Sequence, residues 1–149
     1  MKGIIPRQVR VTCIAAIILV GAIGAALAEP RGRISLNENA FAFAAQIIKD
    51  GRVIADDKGE WNEHRPSTDK ENEFIRRHGF GEYAKWYLGI DDRFAENTKR
   101  RYKFPYGDFK IVHRCGLLAV KGRARQYRYT EIENAAAELE HALKSRATD

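Results

Sequence analysis

The sequence predicts a small, compact all-α domain that ends in a helix-turn-helix pair and follows an export signal. Three observations carry this: apolar residues recur every three or four positions, cap and stop residues bracket those stretches, and residues 1–28 have the three-part layout of a secretory leader. At 149 residues, 44% hydrophobic and 31% charged, the chain has the length and composition of a single globular domain.

The leader comes first. Lys2, Arg7 and Arg10 precede an apolar run over residues 11–20 and then Ala26-Leu27-Ala28. Positive charge keeps the first part on the cytoplasmic side while the apolar part enters the translocon, and the small side chains at 26 and 28 suit a peptidase cutting before Glu29. The expected organisation is a signal peptide over 1–28 and one domain over 29–149, periplasmic or secreted. Two alternatives stay open. Residues 11–28 are 18 uncharged residues, just enough to remain as an uncleaved anchor, and a start further downstream leaves a cytoplasmic protein. Cys13 lies in the leader, so the cleaved chain keeps Cys115 alone and has no intramolecular disulfide.

Helices follow in order. Asn37 or Ser35 can cap a helix over 38–49, with Phe41, Ala44, Ala45 and Ile48 on one face and Gly51 as its left-handed stop. A β-hairpin turning at Asp50-Gly51 is the alternative there. Residues 52–68, with Gly59 and Pro66, read as a connecting loop. Thr68 and Glu71 form a capping box for a helix ending at Gly79, and Phe80, Tyr83, Trp86 and Tyr87 then fall at helical spacing, with burial as the plain reason for the aromatics. Pro105 and Gly107 shape a turn, and Asp108 caps a helix over 109–127. Thr130 and Glu133 open the last helix, which gathers Ile132, Ala135, Ala136, Leu139 and Leu143 on one side.

The strings NEHRPSTDKENEFI, HGF, WYLGIDD, KFPYGDFKIVHRCGLLA and QYRYTEIENAA resemble a family of small bacterial proteins of unknown function, over roughly residues 34–143. The resemblance supports the domain limits and implies no activity.

Enzyme templates fail one after another. There is no CxxC, HExxH, GxSxG or Walker-type glycine loop, and Gly79-Phe80-Gly81 lacks the third glycine of a dinucleotide loop. No metal site is expected, because His113 and Cys115 diverge on a helix and His64, His78 and His141 are scattered. Cys115 reads as a buried, inert thiol, and Asp91 or Asp92 as a turn residue rather than part of a cation loop. No cofactor is expected.

Charge supplies the remaining clue. Without the leader's three cations the formal charge falls from +6 to +3, yet residues 99–128 hold ten Lys or Arg and one acid, while residues 40–97 hold nine cations and twelve acids. On a helix over 109–127, Lys110, Arg114, Lys121, Arg125 and Arg128 share an arc of about 60°. Solvent, or acids such as Glu131 and Glu138 folding back, can neutralise such a stripe. Its functional reading is an anion-binding surface. The expectation is therefore a non-enzymatic helical binding protein whose basic helix faces an anionic polymer, an anionic lipid headgroup or an acidic protein. The alternative is a cytoplasmic nucleic-acid-associated protein with a misassigned start.

Overall fold

Asn37 starts the first helix as the sequence predicts, and it does more than cap. Its Oδ1 accepts the Ala40 N–H at 3.3 Å, while its Nδ2 donates to the carbonyls of Ala84 and Tyr87 at 2.9 and 3.0 Å. A buried amide with its donors and acceptor satisfied thus pins the helix start to a distant junction.

The computed structural model describes residues 34–147, so the leader, Cys13 and the expected cut before Glu29 lie outside the described residues. The order is β1 (Ile34–Leu36), α1 (Glu38–Lys49), β2 (Val53–Ile54), α2 (Trp61–His64), α3 (Thr68–Ala84), β3 (Tyr87–Asp91), a 3-10 turn (Lys99–Arg101), β4 (Tyr102–Pro105), β5 (Val112–His113), α4 (Arg114–Tyr127) and α5 (Thr130–Ala147). The all-α expectation is therefore corrected to a mixed α/β fold. An antiparallel sheet runs β1-β3-β4, and β2 pairs in parallel with β5.

The central strand shows how the expectation fails. Residues 86–88 form a continuous apolar run, whose periodicity does not separate a buried strand from a helix. In the fold Tyr87 enters β3, the central strand, and Trp86, Tyr87 and Leu88 are all buried. Residues 52–68 hold β2 and α2 rather than a plain loop. Ser67, not Thr68, caps α3, and Glu71 instead accepts from the Tyr87 hydroxyl and pairs with Lys99, both at 2.9 Å. Gly79 breaks the helix as predicted, at φ 78°, but a further turn runs on to Ala84.

The helix predicted from residue 109 begins only at Arg114. Phe109 has φ 72°, outside the helical region, and Asp108 caps a turn by accepting the N–H groups of Lys110 and Ile111 at 3.0 and 2.9 Å. Val112 and His113 are drawn into β5, where the Val112 N–H donates to Arg52 O at 3.0 Å. The closing α4–α5 pair and the α1 bounds stand as expected. All five predicted apolar positions of α5 are buried, and Ile132, Ala136, Leu139 and Leu143 join Ile47, Leu88, Val112, Leu117 and Val120 in one core. Among the described residues no helix is long and apolar enough to cross a membrane.

Asp91 is the turn residue expected. Its fully buried carboxylate receives Arg93 Nε and Nη2 at 2.8 and 2.6 Å, and those bonds hold it down at about 2 despite burial. A depressed carboxyl stabilises the fold above its unfolded titration range and loses that contribution as pH falls through its folded value. Urea midpoints of the wild type should therefore drop more steeply than those of Asp91→Asn between about pH 4 and 2. Parallel curves would show that the pair contributes nothing to the acid limb.

Candidate functional site

The parallel β2–β5 pair sets Ile54 beside His113 and so delivers Asp56 to the start of α4. His113 occupies the N-cap position of α4 without capping it through its own side chain. Asp56 supplies the acceptor instead: Oδ1 takes the Cys115 N–H at 2.7 Å and Oδ2 meets His113 Nδ1 at 2.6 Å. Burial pushes the Asp56 carboxyl up, but these two contacts outweigh it and hold the group below its usual range. Cys115 is buried, and burial together with the Asp56 carboxylate pushes its thiol up to about 12, the state of an unreactive thiol.

α2 closes over this junction. Trp61 lies against the backbone of Gly116, where an added Cβ would come within 2.9 Å of the indole, and its ring centroid is 6.1 Å from that of His113. The other side of Trp61 lines a groove of about 810 Å³ between α2, β4 and α4. Leu118, Ala119 and Val120 contribute apolar lining. Lys58, Arg65, Lys103 and Arg123 supply positive charge, and Trp61, Phe104, Tyr127 and Tyr129 supply rings. No carboxylate lines it, and none of the four cations forms an ion pair among the described residues. Tyr127 is 51% exposed, with the Arg123 guanidinium 5.5 Å from its ring centre and Tyr129 6.4 Å away.

The stripe expected from sequence has a different setting. Arg114 Nε lies 3.4 Å and Lys121 Nζ 3.9 Å from the carboxylate of Glu140, and Arg125 Nε lies 4.0 Å from Glu133. Glu140 is buried; burial raises its carboxyl, but Lys144, Lys121 and Arg114 together hold it below its usual range. Lys110 falls in the turn before α4, and Arg128 ends the helix in the left-handed region at φ 61°. Acids of α5 therefore fold back onto three of the five cations, through Glu133 and Glu140 rather than Glu131 and Glu138.

Of the four groove cations, Arg123 is on α4 itself, about 220° round from Lys110 and so outside the stripe. Lys58 and Arg65 lie in the stretch read as loop, and Lys103 lies in β4, just before the turn at Pro105 and Gly107. Of the tyrosines near this part of the chain, Tyr102 and Tyr106 are buried, while Tyr127 and Tyr129 reach the groove. Arg123, Tyr127 and Tyr129, close together in the sequence, are the signal that marks this wall.

No protein family, curated protein or solved structure matches the chain.

Proposed function

We propose that the protein is a non-enzymatic binding protein for an anionic polymer, a single-stranded nucleic acid, which lies in the groove between α2, β4 and α4. One observation carries the reading: four cations that form no ion pair among the described residues, Lys103 also lying 5.6 Å over the Phe94 ring, line one groove with four aromatic rings and no carboxylate. Cations that track a phosphate backbone, with rings on which bases stack, are the combination single-strand binding uses. A lipid headgroup or an acidic peptide brings no bases to stack on the rings. The anion-facing expectation is thus kept, and the side chains that carry it move from the Glu133- and Glu140-paired stripe to Lys58, Arg65, Lys103 and Arg123. This reading takes the alternative of a cytoplasmic chain with a misassigned start; export is a rival proposal that rests on the leader alone.

Retention of the wild type on immobilised single-stranded oligonucleotide should fall steeply with salt, with a log–log slope of about −3 if all four cations meet phosphates. Reversing Lys58, Lys103 and Arg123 to Glu should abolish retention while helicity persists. Reversing Lys110, Arg128 and Lys70, three exposed cations outside the groove, changes net charge equally and should weaken it far less. Equal losses from the two triples would mean that only net charge is felt.

A further inference from the structure

His113 is a buried imidazole between two carboxylates. Its Nδ1 lies 2.6 Å from Asp56 Oδ2 and its Nε2 3.7 Å from Asp108 Oδ2, while the side chain is only 4% exposed. A neutral imidazole carries one N–H and serves one such neighbour. With that proton on the Asp56 side, the buried Nε2 has no hydrogen-bond partner. A second positive centre, either a further proton or a metal ion, lets the ring serve both carboxylates.

His64 brings another imidazole to the same place. Its ring centre is 4.7 Å from that of His113, and its Nε2 lies 3.9 Å from both Asp56 Oδ2 and Glu60 Oε2. One ligand atom each from Asp56, His64 and His113 fall within 4.8 Å of one another. Bonds of about 2.0 to 2.2 Å put atoms that share one such ion roughly 3.0 to 3.5 Å apart. The observed 2.6 and 3.9 Å separations straddle that range.

We propose that Asp56, His64 and His113 form a binding site for a divalent first-row transition ion of the zinc or cobalt type, with Asp56 Oδ2, His64 Nε2 and His113 Nδ1 as ligands. Two imidazoles and a carboxylate suit such ions better than magnesium or calcium, which prefer oxygen. The ion takes the place of the Nδ1 proton, and His113 carries its one N–H on Nε2, directed at Asp108. That is the outer carboxylate by which a metal-bound histidine is usually oriented. The two rings stack within 22° of parallel rather than fanning out, so binding turns the ring of His64, which is 36% exposed, and leaves His113 in place. Arg114 leaves the Asp56 carboxylate free for the ion, because its Nη1 donates to the Asp56 backbone carbonyl at 3.3 Å and its Nε faces Glu140, whose carboxylate offsets its charge. The site is distinct from the groove, the two sharing only Trp61 as a wall.

The test uses the tag-free full chain without nucleic acid, with Zn²⁺ measured by equilibrium dialysis and Co²⁺ by its visible absorption. One equivalent should bind, and uptake should weaken as the solution is made more acidic, because protons compete for the same nitrogens. His64→Gln, at a partly exposed position that leaves the core intact, should weaken uptake roughly tenfold or more with an unchanged melting temperature. His141→Gln, exposed on α5, should change nothing. Asp56→Asn should also lose uptake, but it also takes the charged partner from buried His113, so His64→Gln decides. Absence of stoichiometric uptake by the wild type, or uptake that His64→Gln leaves intact, overturns the proposal. A His64→Gln effect on acid unfolding alone, with no wild-type uptake, assigns the cluster to a proton and overturns it as well.

Discussion

Leu139→Ala lowers the unfolding free energy by about 2 to 5 kcal/mol, the range for truncating a buried leucine where the surroundings relax only in part. Leu139 is 1% exposed in the middle of α5, on the face that carries Ile132, Ala136 and Leu143 into the core shared with Leu117 and Val120 of α4. The transfer free energy of three buried carbons is lost, and a cavity is left between the two helices. Since a domain of this size is stable by only about 5 to 15 kcal/mol, the loss is a large part of the whole. The neighbouring Glu138 is exposed, and its alanine variant should stay within about 0.5 kcal/mol of wild type. Denaturant melts measure both. Small and equal effects would mean that α5 is not held by this face.

Gly107→Ala should be costly for the opposite reason, because nothing can be added there. A Cβ would stand 2.5 Å from the Ile111 carbonyl oxygen and 2.6 Å from Cζ3 of Trp86, which is itself 3% exposed. The oxygen is backbone, and it accepts the Asp108 N–H at 3.3 Å, so it cannot yield without opening the turn that delivers Val112 and His113 to β2. Overpacking of this kind costs about 1 to 3 kcal/mol, and a blocked backbone atom puts the change at the upper end. Gly122→Ala is the control with the opposite sign. Its Cβ meets nothing within 4 Å and lies inside α4, so it should stabilise by roughly 0.5 to 1 kcal/mol. Matching midpoints for the two variants would refute the packing account of the turn.

The elements legible in the sequence are those whose signals are local. Asn37 with Gly51 bracketed α1, and the spacing of Ile132, Leu139 and Leu143 marked the buried face of α5, because caps and helical periodicity act within a few residues. The strands were not legible. β2 and β5 are two residues each, too short for alternation to show, and β3 is buried along nearly all its length, so it carries no polar face to alternate with. The site depends on those same strands. Asp56 and His113 are 57 residues apart and meet only through the β2–β5 pairing, so sequence reasoning saw scattered histidines where the fold makes a cluster. The charge reading was right that residues 99–128 are basic but took α4 to start five residues too early and could not know which carboxylates of α5 would face it.

Trp61 offers the most direct view of the groove. The chain has two tryptophans, and Trp86 is 3% exposed in the core, whereas Trp61 lines the groove wall. Titrating single-stranded oligonucleotide into the protein at low salt should change tryptophan emission to saturation as bases stack in the groove. Added salt should reverse the change, and Trp61→Phe should abolish it. Tight retention on the oligonucleotide with Trp61 emission unaltered, or no binding even at the lowest salt, would contradict the groove as the binding site.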